Sequence, residues 1–313
     1  MRNWMNQNAA AQQVDVLLFD DFSNHCLANT VEPLRAANGF ASGQVYGWRF
    51  LTLEGAAVAS SSGLQVAAHG RLSQASGDLL IVMPSYRARD HATPATRRAL
   101  RAAARRYGAL AGFDMGSWLL ADAGLLDGRR ATIHWEELDR FAEAFPDVDA
   151  VRARHVVDGN RLSSSGALAA FDLILELIGE QHGQALRLEV ATLFMAPEAG
   201  GAATSLARSK SVARAVALMQ EHLETPLAIA RLARMAGRTQ KDLETRMKAE
   251  LGETPQAVYR HLRLIHARKL VLETDLAIAE IALRCGYQDA SAMTRAFRGA
   301  FGLPPTRLRN TGG

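Results

Sequence analysis

Leu227-Ala-Ile-Ala-Arg-Leu-Ala-Arg-Met-Ala-Gly237 and Leu276-Ala-Ile-Ala-Glu-Ile-Ala-Leu-Arg-Cys-Gly286 are one segment written twice, 49 residues apart and identical at six of eleven positions. One extra residue in the second copy moves the offset to 50, after which Leu243, Met247, Leu251, Gly252 and Pro255 align with Met293, Phe297, Phe301, Gly302 and Pro305. A repeat at fixed spacing is a repeated structural unit and is read before any fold. Each copy has the pattern of a short helix, a tight turn holding a glycine, and a second helix with apolar residues four apart, which is a helix-turn-helix unit. The glycine allows the left-handed backbone such a turn needs. Thr239 with Asp242 has the form of a capping box opening the second helix of the first copy. Between the copies, Pro255 to Glu273 is a long amphipathic pattern with Val258, Leu262, Ile265 and Leu270 on one side, so one connecting helix is expected to space the two units.

Charge follows the same division. Residues 1 to 204 hold 18 Lys and Arg against 22 Asp and Glu, net −4, and residues 205 to 313 hold 18 against 10, net +8. A basic helical domain on a mildly acidic body fits a double-stranded DNA-binding module attached to a part that does not touch DNA. At 313 residues two domains are expected, and 48% hydrophobic with 22% charged residues is a globular composition without any apolar run long enough for a membrane span. The start of the chain lacks the pattern of a secretory signal, so a cytoplasmic location is expected, and no membrane partner. Cys26 and Cys285 are too few for a disulfide framework and read as buried thiols. The nine histidines show no metal-ligand spacing, and neither a metal nor a cofactor is expected.

Before the basic part, short apolar runs alternate with amphipathic segments. Strands are expected at Val14 to Phe19, Trp48 to Leu53, Leu79 to Met83, Gly108 to Phe113 and Ala131 to Trp135, and helices at Thr30 to Asn38, Pro94 to Tyr107, Gly116 to Ala123 and Glu137 to Phe145. This alternation predicts an α/β domain with a parallel, flavodoxin-like sheet, followed by an all-α domain with two helix-turn-helix units. The expected division is a flexible start at 1–13, a sensor domain at 14–195, a Gly/Ala/Pro linker at 196–206 and the DNA-binding domain at 207–313.

The stretch Ala279 to Gly302 with Pro304-Pro305, on top of the duplication, resembles the C-terminal signature of the AraC/XylS family of transcription regulators. The resemblance covers about one hundred residues and implies two helix-turn-helix units joined by one long helix, with homodimerisation and contact with RNA polymerase among the expected partners. It makes Gln240 to Leu251 and Ala290 to Phe301 the recognition helices. Gln240, Lys241 and Glu244 in the first, and Asp289, Ser291, Thr294 and Arg295 in the second, are then candidates for base edges. Arg246, Lys248 and Arg298 are candidates for phosphates. The first helix opens Thr-Gln-Lys-Asp-Leu where the family pattern is Ser-x-Arg-x-Leu.

In the first part, Gly112-Phe-Asp-Met-Gly116 follows an expected strand and opens an expected helix, the form of a nucleophile elbow with Asp at its centre. Together with Leu125 to Trp135 it resembles the glutamine-amidotransferase-like (ThiJ/peptidase I type) domain fused to regulators of this kind. In enzymes of that superfamily the elbow carries Cys and a later His assists it; here those places hold Asp114 and His134. Loss of the thiolate points to a non-catalytic pocket for a small-molecule effector, expected to be lined by Asp114, Met115, Trp118, His134, Trp135 and Ser165. The helix end behind Asp114 is expected to keep it ionised and so to suit an amine or amino-acid-like ligand, with Trp118 or Trp135 as a cation–π face. Both tryptophans fit a core role better than a ligand cage, and Ser163 to Gly166 fits a cap on the helix from Ala167 better than a pocket lining. Glu32 matches a motif of these regulators, and Pro33 beside it equally marks a helix start. The alternative is a hydrolase or amidase with Asp114 as nucleophile, for which Asp122 or Asp127 would have to orient the histidine.

Overall fold

The computed structural model describes residues 11–41, 43–194 and 209–311, so the stretch read as a linker, 196–206, lies outside the described residues. The chain divides into two compact units between Leu177 and Ile178, earlier than the Gly/Ala/Pro stretch at which the sequence puts the boundary.

The first unit is built on β1 (Gln12–Leu18), β2 (Tyr46–Thr52), β5 (Gly70–Arg71), β6 (Gly77–Met83), β7 (Tyr107–Phe113), β10 (His155–Asp158) and β11 (Arg161–Ser164), in the order β10-β11-β7-β6-β1-β2-β5. Two small pairs stand apart, β3 (Val58–Ala59) with β4 (Gln65–Val66) and β8 (Arg130–Ala131) with β9 (Asp149–Ala150). All pairings in the large sheet are parallel except β10 with β11. Its centre is apolar on both faces: Val16, Leu17, Leu80, Ile81, Val82, Ala109 and Ala111 are buried, as a parallel sheet covered on both sides requires. The flanking helices are α1 (Asn24–Phe40), α2 (Pro94–Ala103), α3 (Gly116–Asp122), α4 (Leu138–Ala144) and α5 (Ala167–His182).

The start 1–13 is not flexible at its end. β1 begins at Gln12, level with Tyr46, and the Gln13 amide donates to Asp78 Oδ2 at 2.8 Å. Ala131 to Trp135 is not a strand of the main sheet either. Only Arg130–Ala131 pairs with a neighbouring strand, and Trp135–Glu137 is a turn of 3-10 helix. The Thr132 amide is satisfied by Ser163 Oγ at 2.9 Å, so the run spends its backbone on a side chain from β11. β11 takes the place beside β7 instead, with Leu162, Ser163 and Ser164 buried. Its short Arg-Leu-Ser-Ser run carries little apolar signal, which is why the sequence pattern passes over it.

One charged group sits inside the sheet. Asp15 on β1 is fully buried and accepts from Arg49 Nε at 2.9 Å and Nη2 at 2.6 Å, and from the Tyr107 hydroxyl. It ties β1, β2 and β7 together. A bidentate guanidinium and a phenol are what makes a buried carboxylate tolerable.

The second unit is helical: α6 (Gln184–Phe194), α7 (Lys210–Glu221), α8 (Ile229–Met235), α9 (Gln240–Leu251), α10 (Pro255–Glu273), α11 (Ile278–Arg284), α12 (Ala290–Phe301) and α13 (Pro305–Thr311). The 19-residue α10 is the expected connecting helix, started by Pro255 at its first position and by Thr254, whose hydroxyl accepts from Ala257 N. Val258, Tyr259, Leu262, Leu264, Ala267 and Val271 bury its inner side.

Candidate DNA interface and ligand crevice

The repeat in the sequence is a repeat in the backbone. Gly237 and Gly286 stand in the two turns at φ 71° and 70°, and Gly252 and Gly302 close α9 and α12 at φ 74° each. Leu232, Ala233, Leu243 and Met247 are buried in the first unit, and the matching Ile281, Ala282, Met293 and Phe297 in the second. Thr239 Oγ1 accepts from Asp242 N at 3.2 Å and caps α9. Asp242 does not return the bond, because its carboxylate holds Arg246 instead, Nε to Oδ1 at 3.0 Å. Asp289 caps α12 in the same way, accepting from Ala292 N at 2.7 Å. That carboxylate, a base-edge candidate in the sequence, is thus already used by its own helix.

The second helices of the two units cover the ranges expected for them, Gln240–Leu251 and Ala290–Phe301. Gln240, Lys241, Lys248, Ser291, Arg295 and Arg298 are exposed, and Glu244, Arg246 and Thr294 are half-buried. Arg263 escaped the sequence reading. From α10 its Nε donates to Cys285 O at 2.6 Å and its Nη2 to Gly286 O at 2.8 Å, with the guanidinium stacked 4.1 Å from the Tyr287 ring. It fixes the second turn to the connecting helix, a planar fork satisfying two carbonyls that α11 leaves free at its end.

In the first unit, the elbow is a steric necessity. A methyl group on Gly116 would stand 2.0 Å from Val82 O and one on Gly112 2.4 Å from Ser117 N, so α3 can approach β6 and β7 only through glycine. Between them Asp114 has φ 56°, and Asp21 after β1 and Arg87 after β6 have φ 61° and 51°. Among the described residues these are the three non-glycine positions with positive φ, all beyond the carboxyl ends of neighbouring strands. Two of them, Asp114 and Arg87, line one crevice, so backbone strain of about 1–3 kcal/mol each falls at the place where open α/β sheets hold ligands.

The crevice is a cavity of about 370 Å³ lined by Ser85, Tyr86, Arg87, Ala88, Arg89, Asp114, Met115, His134, Glu136 and Glu137. Ser85 Oγ donates to Asp114 Oδ2 at 2.7 Å while accepting from Ser23 N at 3.0 Å. Arg87 pairs with Asp21, and Arg89 with Glu137 at 3.4 Å. Burial raises the pKa of Asp114, and the Ser85 hydrogen bond and His134 draw it back only in part. Desolvation therefore outweighs the influences expected to hold this carboxyl ionised. Cys26, fully buried, has its thiol pushed well up by burial and by Asp114, and burial pushes Cys285 up to about 12, so both are inert.

The expected pocket set divides. Asp114, Met115 and His134 share the crevice; Trp135 and Ser165 line a separate, shallower cavity of about 280 Å³ with Arg152 and Arg154. Trp118 lines neither. It packs edge-on to Phe145 at 5.1 Å and beside Phe141 at 6.3 Å, under the Arg89 guanidinium, half-buried against the core. Asp122 is paired with Arg97 at 2.7 Å, and the acid beside His134 is Glu136, 3.8 Å from Nδ1. Glu32 pairs with Arg35 on the surface of α1.

The family model of the DJ-1/PfpI family matches residues 12–180, and that of a helix-turn-helix domain matches 232–311. The HTH-type transcriptional regulator CdhR of Pseudomonas aeruginosa is 35% identical over 303 residues, which covers 94% of this chain and 90% of CdhR. The chain belongs to the AraC-type transcriptional regulators that carry a DJ-1/PfpI domain. Such a regulator binds DNA through its helix-turn-helix domain. GlxA, the HTH-type transcriptional regulator of Rhizobium meliloti, is 33% identical over 313 residues, 96% of this chain and 97% of GlxA. Among solved structures, an AraC family transcriptional regulator from Pseudomonas putida matches 59% of this chain and all of that one, at 28% identity and a TM-score of 0.52. Drosophila melanogaster DJ-1beta has the same fold over 59% of this chain and 99% of its own, at 20% identity and a TM-score of 0.51.

Proposed function

We propose that this regulator is a cytoplasmic homodimer that answers to a small amine or amino-acid-like effector held in the Asp114 crevice, and that it performs no chemistry there. The supporting observation is the desolvated Asp114 carboxyl on a strained elbow, facing a cavity that Glu136, Glu137 and Arg89 also line. An incoming ammonium offsets the cost of ionising a buried acid, and Arg89 can meet a carboxylate on the same ligand. With Asp where a thiolate would stand, the elbow lacks the nucleophile of the related enzymes. On the DNA side, Gln240, Lys241, Glu244, Ser291, Thr294 and Arg295 face base edges, Arg246, Lys248 and Arg298 face phosphates, and Asp289 sets the start of α12. The bound dimer would then present itself to RNA polymerase.

Calorimetric titration of the full chain with primary amines, amino acids and dicarboxylates tests the effector class. Ammonium-bearing compounds are expected to bind and Asp114→Asn to abolish it; tight dicarboxylate binding that survives Asp114→Asn overturns the reading. Glu136 beside His134 favours a second reading, a hydrolase with an Asp114 nucleophile. Turnover of esters, amides or haloalkanes by the full chain, lost in Asp114→Ala, would establish it.

A further inference from the structure

The two recognition helices are built alike and charged differently. α9 carries Lys241, Arg246 and Lys248 against Asp242, Glu244 and Glu250, net zero, whereas α12 carries Arg295 and Arg298 and no acid. In α9 the Asp242 carboxylate lies between two cations, with Arg246 Nε at 3.0 Å and Arg238 Nε at 3.5 Å. The Gln240 amide is spent on Glu244 at 2.9 Å, and Glu250 accepts from Ser209 N at 3.0 Å. In α12 the guanidinium groups of Arg295 and Arg298 are exposed and have no side-chain partner among the described residues.

An arginine committed to a carboxylate on its own helix does not neutralise a phosphate until that pair is broken, and breaking it is repaid only where further contacts form at once. Non-specific affinity is almost wholly phosphate neutralisation, so a self-neutralised helix contributes little to it. We propose that Asp242 is a specificity-determining residue: it holds Arg238 and Arg246 away from the backbone of arbitrary DNA, so that the second unit anchors the protein electrostatically and the first engages only where base contacts repay the exchange. This goes beyond the assignment of individual contacts and rests on reading α9 and α12 as the helices that face DNA.

The test is the affinity of the full chain for a fluorescent random-sequence duplex, measured across a series of KCl concentrations, with melting curves confirming that each variant is folded. Each released cation steepens the logarithmic salt slope by about 0.9, which is about eightfold in affinity at 0.1 M salt. Asp242→Asn is expected to tighten binding by that order and steepen the slope by one to two such steps, and Asp242→Asn with Arg246→Gln to give part of the gain back. Arg295→Ala and Arg298→Ala are each expected to flatten it by about one step. Wild-type affinity and slope in Asp242→Asn, with the protein folded, overturn the proposal, as does a loss in Arg246→Ala equal to that in Arg295→Ala. A wild-type chain that binds no duplex at any salt overturns the assignment of the helices themselves, a result distinct from either. Should Asp242→Asn fail to fold, Asp242→Ser is measured against the same criteria.

Discussion

Tyr259 and Arg309, one repeat apart, hold the same place in the two helix-turn-helix units with different chemistry. The Tyr259 hydroxyl donates to His222 O at 2.6 Å and accepts from Leu227 N at 3.2 Å; the Arg309 guanidinium donates to Val271 O at 3.2 Å and Leu276 O at 2.8 Å. His222 and Val271, like Leu227 and Leu276, are themselves repeat partners. Each bridge pins the chain entering a unit to the helix that leaves it. A hydroxyl can both donate and accept, so Tyr259 takes a carbonyl and an amide; a guanidinium only donates, so Arg309 takes two carbonyls, one from the last turn of α10 and one from the loop after it.

Tyr259→Phe leaves the His222 carbonyl and the Leu227 amide without their partner beside a buried ring, and is expected to destabilise the helical unit by about 1–3 kcal/mol. Arg309→Met should act on the second unit in the same direction. Urea unfolding of the full chain, followed by helix content, measures both; an unchanged midpoint in Tyr259→Phe would show that the bridge carries no stability.

Gly237→Ala and Gly286→Ala should differ although the two positions match. Both have a left-handed backbone, but a methyl group on Gly237 meets open space, whereas one on Gly286 stands 2.6 Å from Pro226 Cγ and 2.7 Å from Leu223 O. Gly237→Ala is expected to cost about 1 kcal/mol for the backbone alone, and Gly286→Ala considerably more. Equal shifts in the denaturation midpoint would contradict the crowding.

Asp114 makes the first unit sensitive to pH. A carboxyl whose pKa is raised in the folded state favours the neutral form there, so its stabilising contribution is complete below the ordinary aspartate value of 3.8 and is lost as pH rises through the raised one. Relative to the wild type, Asp114→Asn is therefore expected to gain stability as pH rises through that window. The difference in melting temperature between the two, followed from pH 4 to pH 8, checks the sign. Binding of an ammonium ligand should strengthen over the same range, because it selects the ionised acid.

Trp118 and Trp135 should respond oppositely to truncation. Trp118→Ala removes a ring packed on Phe141 and Phe145, for which a loss of about 3 kcal/mol or more is expected. Trp135 is 63% exposed, and Trp135→Ala is expected to stay within about 0.5 kcal/mol of the wild type. Chemical denaturation separates the two.

The sequence by itself determined the elements whose signal is local and repeated. The duplicated Leu-Ala-Ile-Ala segments, the glycines of the two turns and the even spacing of Leu243, Met247 and Leu251 are enough to set both units and the helix between them, because apolar spacing along one helix already states which side it buries. The elbow was legible for a similar reason: Gly112 and Gly116 bracket a turn that admits no side chain at either place.

Only the tertiary structure decided what depends on partners distant in sequence. It took β11 into the large sheet on the strength of β7 beside it, and gave the Thr132 amide to Ser163 instead of to a strand. It packed Trp118 against the core and left Trp135 on the surface, although both lie in apolar surroundings in the sequence. Above all it set the balance at Asp114, where the chain announces a helix end and a carboxylate, while burial raises the pKa and the Ser85 hydroxyl from beyond β6 and the neighbouring His134 lower it only in part. Desolvation is a property of everything packed around an atom, and no stretch of sequence encodes it locally.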